Sequence, residues 1–106
     1  MKVIWTDFAA NSLFEICRYY SEAASQKVAH RIRFKIFSVT RQLVKHPLSG
    51  QLEPTLKKLG EDHRYLVEDN YKIIYKKVKE GVIITDVFDT RQDPIKIHLG
   101  TKKPSR

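Results

Sequence analysis

The stretch from Ser25 to His46 constrains this chain most, because Val28, Ala29, Ile32, Ile36, Val39 and Leu43 recur there at the 3.6-residue period of an α-helix. Ser25 suits the N-cap, and Pro47 prevents the helix from continuing. Such a helix must bury its apolar stripe. A chain of 106 residues has one core to offer it, being too short to divide in two and still bury enough surface in each half. The chain therefore reads as a single domain over residues 1–98, with residues 99–106 a basic C-terminal tail expected to fray.

Lys2 to Trp5 reads as a short strand. Thr6 can then cap a first helix, running to about Glu22, with Asp7 near the positive end of its dipole. Ala9, Leu13, Ile16 and Tyr20 form its inward stripe, and Phe14 falls roughly opposite them. Beyond the second helix, Pro47-Leu48-Ser49-Gly50 reads as a turn opening an irregular stretch that reaches Asp62. Connections of that length tend to be functional, and this one carries Lys57 and Lys58.

Three strands follow, at about Arg64 to Glu68, Tyr71 to Lys79 and Val82 to Asp89, with hairpin turns at Asp69-Asn70 and Glu80-Gly81. Ile73 and Tyr75 alternate with Lys72, Ile74 and Lys76, so one sheet face is core and the other is expected to be comparatively open. The fold class is α+β in the order β-α-α-β-β-β: a mostly antiparallel four-stranded sheet with a helical hairpin on one face.

The net charge of +8 and pI near 9.7 favour polyanions or acidic proteins as partners. The second helix concentrates that charge, holding Lys27, Arg31, Arg33, Lys35, Arg41 and Lys45 and no acid. Cations at helical spacing repel, so an acidic partner would stabilise them. Phe34 sits amid this polar face. It and Phe14 either anchor a partner or are partly buried at the flank of the hairpin.

Cys17 cannot make an intrachain disulfide and suits a small buried hydrophobe. No long apolar run marks a signal peptide or membrane helix, so a cytoplasmic protein with no membrane partner is expected. No His, Cys or carboxylate cluster has metal-site spacing, and no glycine-rich phosphate loop is present. No metal or cofactor is therefore expected.

Arg64-Tyr65-Leu66-Val67, Tyr71-Lys72-Ile73-Ile74-Tyr75 and Val87-Phe88-Asp89-Thr90-Arg91-Gln92-Asp93-Pro94 resemble the successive strands of ParE-type toxins. Val3-Ile4-Trp5-Thr6 with Ala9 and Leu13, then Ala29, Leu43, Pro47 and Gly50, are similar to the opening pattern of the same family. The resemblance, over roughly residues 2 to 97, is to the RelE/ParE family of type II toxin–antitoxin systems, closer to its ParE-like branch. It implies a growth-inhibiting toxin associated with plasmid stabilisation and neutralised by a cognate acidic antitoxin in a hetero-oligomer. The target would be DNA gyrase, bound without enzymatic action. The alternative is a RelE-like, ribosome-dependent mRNA interferase, a metal-independent endoribonuclease acting on mRNA at the ribosome.

Metal-free RNA cleavage needs a base for the 2′-hydroxyl, an acid for the leaving oxygen and cations for the crowded phosphate. By resemblance, Lys57, Lys58, Arg64 and Arg91 stand where the ribonucleases place cations, whereas Phe88, Asp89 and Thr90 occupy positions where those enzymes offer His or Tyr. His98 and His63 remain as proton carriers, each with an ordinary surface or packing role as the alternative. That deficit favours the gyrase reading. Arg64, Arg91 and Lys96 are then the expected target-binding residues, and Phe34, Arg31, Arg41 and Phe14 the expected antitoxin-binding ones. Arg64 has a structural alternative in an ion pair with Asp86 or Asp89. Tyr65, Tyr71 and Tyr75 either stack on bases or pack within the sheet.

Overall fold

The computed structural model describes residues 2–90; Arg91, Lys96, His98 and the expected tail over 99–106 lie outside the described residues. β1 (Lys2–Trp5) is followed by α1 (Asp7–Ala23) and α2 (Gln26–Gln42). Then come β2 (Gln51–Leu52), a short 3-10 helix (Pro54–Leu59), β3 (Arg64–Glu68), β4 (Tyr71–Val78) and β5 (Gly81–Asp89). The strands form one sheet in the order β1-β5-β4-β3-β2. β1 runs parallel to β5 and every other pairing is antiparallel.

The helices start where side-chain capping predicts. Thr6 Oγ1 accepts from Ala9 N at 3.1 Å, and Ser25 Oγ accepts from Val28 N at 3.1 Å. Thr6 also donates its hydroxyl to Ile84 O at 3.1 Å, so one residue caps α1 and fastens it to β5. α2 ends at Gln42, short of the expected His46. Pro47 disfavours helical geometry in the residue before it, and Leu43 to Lys45 form turns on the approach while Leu43 stays buried.

The helical hairpin packs on one sheet face as expected. Ala9, Leu13 and Ile16 of α1 and Ile36 of α2 meet Ile73 and Tyr75 of β4 and Val82, Ile84 and Val87 of β5. Strict alternation would put Ile84 and Val87 on opposite faces. Ile74 pairs with Asp86 and Tyr75 with Ile84, leaving Thr85 as an extra residue, and this bulge returns both side chains to the core. Thr85 Oγ1 donates to Ile74 O at 3.3 Å across it.

Two expectations are corrected. The sheet has five strands, not four, because Gln51 and Leu52 within the expected irregular stretch pair with Tyr65 and Arg64. A two-residue strand has no periodicity for a sequence to reveal. The second sheet face is also less open than expected: Leu56 of the 3-10 helix closes over Ile74 and Phe88, with Tyr65 at their side, in a small second core. Ile74, between two lysines in sequence, is thereby fully buried.

The turn before β2 is held by Tyr75, whose hydroxyl donates to Pro47 O at 2.8 Å and accepts from Gly50 N at 2.9 Å. A Cβ at Gly50 would come within 2.6 Å of Tyr65 O and 2.7 Å of the Tyr75 hydroxyl, so the turn has room for glycine alone. Tyr75→Phe leaves a buried donor and an acceptor without their partner and is expected to cost about 1–3 kcal/mol in denaturant unfolding. A midpoint equal to that of the parent would show that the turn does not depend on this hydroxyl.

Candidate functional site

α1 and α2 bury their facing stripes but leave a groove of about 810 Å³ along their outer junction. Leu13, Cys17, Ala29 and Phe37 give it apolar walls, Trp5 lies at its β1 end, and Arg18, His30 and Arg33 bring polar groups to its lining. A shallower recess of about 290 Å³ shares His30, Arg33 and Phe37 and extends past Phe34 to Arg41. Phe14 lines the first and Phe34 the second, and they are 63% and 69% exposed. Two phenylalanines so exposed along adjoining hollows form an apolar surface that gains by being covered.

The cations around the groove differ in availability. Arg18 is held by acids of its own helix, with Nε 2.9 Å from Glu15 Oε1 and a guanidinium nitrogen 3.7 Å from Glu22. Arg33 lies over the Phe37 ring, its Cζ 5.5 Å from the centroid, and Trp5 meets the same ring edge-on at 5.2 Å. Arg41 has a 3.4 Å contact to Ser38 Oγ. Arg33 and Arg41 thus present guanidinium groups beside apolar walls without an acid of this chain among the described ion pairs. Cys17 donates weakly to Ala29 O at 3.8 Å; burial pushes its thiol up while Arg33 pulls it down less strongly, which leaves it a packing residue.

Of the residues expected for antitoxin binding, the structure brings Phe14, Phe34 and Arg41 to these hollows and leaves Arg31 exposed outside both. The sequence reading missed His30, Arg33, Phe37 and Trp5. His30, Arg33, Phe37 and Arg41 follow one another at steps of three and four, a second helical stripe beside the core stripe that reveals three of them.

Of the expected target-binding and ribonuclease residues, only Lys57, Lys58 and Arg64 are among the described residues. Lys57 and Lys58 are exposed on the 3-10 helix that covers the second sheet face. Arg64 belongs to the helix-covered face, where its Nη1 donates to Gly50 O at 2.7 Å and Leu48 O at 3.3 Å. It meets neither Asp86, paired with Ile74 on the opposite face, nor Asp89, near the far end of β5. Arg64 therefore helps Tyr75 hold the turn. Tyr71 and Tyr75 are buried in the main core, and Tyr65 flanks the second core beneath the Lys72 ammonium at 4.2 Å.

The second face carries a chain of charges with a histidine at its centre. Lys72 Nζ lies 2.6 Å from Glu53 Oε1, and Lys76 Nζ lies 2.8 Å from Glu61 Oε1. Burial raises the Glu53 carboxyl, but hydrogen bonds from Lys72 and Thr55 outweigh it and hold the group below its ordinary value. His63, 7% exposed, has Nε2 3.8 Å from Glu61, and its buried Nδ1 has no hydrogen-bond partner. Burial pushes its pKa below the ordinary 6.5; Glu61 and Glu53 raise it and Lys76 lowers it further. His63 thus packs as a neutral ring. Among the described residues no three His, Cys, Asp or Glu side chains gather as a metal site, and no helix is long and apolar enough to cross a membrane.

The match to a family model described as the ParE toxin of the type II toxin–antitoxin system parDE spans residues 3–94. This chain belongs to that family of toxins. A solved chain of the chromosomal ParDE toxin–antitoxin system from P. aeruginosa is similar in fold, with a TM-score of 0.67 at 18% identity, covering 84% of this chain and 95% of that one. No curated protein matches the chain.

The depressed His63 pKa carries a sign that can be tested. The folded state disfavours the proton that the unfolded chain accepts near pH 6.5, so stability is full above that pH and declines as pH falls below it toward the folded pKa. His63→Gln is expected to flatten this part of the thermal-midpoint profile. The Glu53 contribution is lost only at more acid pH, below about 4.5. An unchanged slope below pH 6.5 in the variant would assign it to another group.

Proposed function

We propose that this toxin is held inactive by an acidic antitoxin whose apolar side chains fill the α1–α2 groove and whose carboxylates meet Arg33 and Arg41. Once released in the cytoplasm, it binds DNA gyrase and arrests its cycle without acting as an enzyme. The observation that carries the first half is the coincidence of exposed Phe14 and Phe34 with grooves bearing cations that lack acidic partners of their own. Apolar anchors ringed by charge suit a partner that is both apolar and acidic. Arg31 and Lys27, on the solvent side of α2, add longer-range attraction.

The gyrase half rests on membership of the ParE family and on the engagement of Arg64 and His63 within the described fold. Arg64 is occupied by Gly50 O and Leu48 O, and His63 is a buried neutral ring. We assign the target contact to Arg91 and Lys96, with Arg64 positioning the turn. The purified chain should be added to a gyrase supercoiling reaction and, separately, to translating ribosomes. Supercoiling is expected to stop while message stays intact. Cleaved message with unaffected supercoiling would give the chain to the interferase branch, with Lys57 and Lys58 as its phosphate-binding residues.

Phe14→Ala, Phe34→Ala and Arg41→Ala together are expected to weaken antitoxin binding by more than about 2 kcal/mol. Unfolding free energy should stay within about 0.5 kcal/mol per exposed site. Titration calorimetry and denaturant unfolding measure the two separately. Undiminished affinity would remove the groove from the interface.

A further inference from the structure

Among the described residues, the exposed large apolar side chains outside the helical hairpin are Leu48, Leu52, Leu59 and Val67, all from the β2 side of the sheet. Leu48 stands in the turn before β2, and Leu52 lies in β2 itself, the strand that ends the sheet opposite β1. They are 58% and 57% exposed. Both adjoin one side chain: Leu52 is the cross-strand partner of Arg64, and Leu48 O accepts from Arg64 Nη1 at 3.3 Å. Arg64 and Tyr75 also hold Pro47 O, Gly50 N and Gly50 O, so the backbone between the two leucines is fixed although neither leucine joins a core. A turn ordered in this way before any partner arrives offers a preorganised apolar contact, with little conformational freedom left to lose on binding.

We propose that this β2 edge is the surface by which the toxin meets its target protein, with Leu48 and Leu52 as anchors for an apolar patch fringed by carboxylates. This rests on the target reading above and adds to Arg91 and Lys96 a contact within the described fold. Charge selects the occupant. Lys45, after α2, and Lys57 and Lys58, on the 3-10 helix, are exposed and enter none of the described ion pairs. Of the acids between Lys45 and Asp62, Glu53 is taken by Lys72 and Glu61 by Lys76, which leaves Asp62 to oppose them. A second copy would bring +8 against +8, whereas an acidic surface is drawn in. The hollows assigned to the antitoxin include neither leucine in their lining, so the two surfaces can be told apart. Arg64 is then a positioning residue for the anchors.

The test introduces Leu48→Ser and Leu52→Ser together in the full chain. Growth arrest on induced expression, inhibition of gyrase supercoiling and affinity for the product of the adjacent acidic gene are measured in parallel. Growth arrest is expected to be lost, and the concentration that halves supercoiling to rise roughly tenfold or more, while antitoxin affinity stays within about twofold of the parent. Because both sites are exposed, the unfolding midpoint should match that of the parent. Arg64→Met, which removes the bonds to Leu48 O and Gly50 O, is expected to weaken inhibition with antitoxin affinity unchanged, and Arg64→Lys to recover part of it. If the leucine variant fails to fold, the methyl resonances of Leu48 and Leu52 in the parent decide, since they are expected to broaden when gyrase is added.

Full growth arrest by the folded leucine variant would overturn this surface and leave the target contact with Arg91 and Lys96. Lost arrest in the variant, with supercoiling untouched by the parent, would uphold the surface and overturn gyrase as the target. Antitoxin affinity reduced as far as inhibition would overturn the proposal in favour of the antitoxin. Self-association of the parent that the variant lacks would overturn it in favour of a second copy.

Discussion

The parallel pairing of β1 with β5 is the constraint on which the rest of the molecule depends. A parallel neighbour cannot be reached by a tight hairpin, so the chain must travel over the sheet between the two strands. α1 and α2 lie on that route, with β2, β3 and β4 following before the chain returns. β5 therefore takes a central position between β1 and β4, bonded on both sides, with Val82, Ile84 and Val87 fully buried. The approach is close enough that a Cβ on Gly81 would fall 1.9 Å from Lys2 O, and Gly81 has φ +151, which L side chains rarely adopt. One glycine thus admits the strand that gives the sheet its N-terminal edge.

The same arrangement separates two chemistries. The helix-covered face holds the main core, and the outer side of its hairpin carries the groove, Phe14, Phe34 and the cations of α2. The opposite face holds the small core under Leu56 and the run Lys72–Glu53, His63, Glu61–Lys76. Surface ion pairs contribute little to stability, but Glu53 is wholly buried against Lys72, so removing either partner would strand a charge. The long connection is consequently a structured cover over the second face, tied down by Leu56 and Glu53 and turned back through the left-handed Gly60.

Side chains that look functional in a basic chain prove to hold backbone in place. Arg64 and Tyr75 come from adjacent strands at the paired positions Arg64↔Tyr75 and converge on the same turn, where they bond Leu48 O, Gly50 O, Gly50 N and Pro47 O. The turn makes few backbone bonds of its own, so side chains supply partners for groups that would otherwise be buried without them.

Periodicity by itself determined much of this protein. The apolar stripes from Ala9 to Ile16 and from Ala29 to Leu43, the caps Thr6 and Ser25, and the alternation in β4 were legible because each reflects a local geometry repeated over several residues. Phe14 and Phe34 stood out for the same reason, as apolar residues on the wrong side of a readable stripe. What the sequence could not show were relations between distant residues: the two-residue β2, the bulge at Thr85, the closure of Leu56 over Ile74, and the engagement of Arg64 by two carbonyls. The groove belongs with them. Arg33, Phe37, Trp5 and Cys17 come from three elements and acquire a common purpose only when β1 is laid beside β5 and the hairpin is folded across them. Local spacing decides what each helix and strand can bury, and only the packing of one against another decides which polar and aromatic groups are left over to meet a partner.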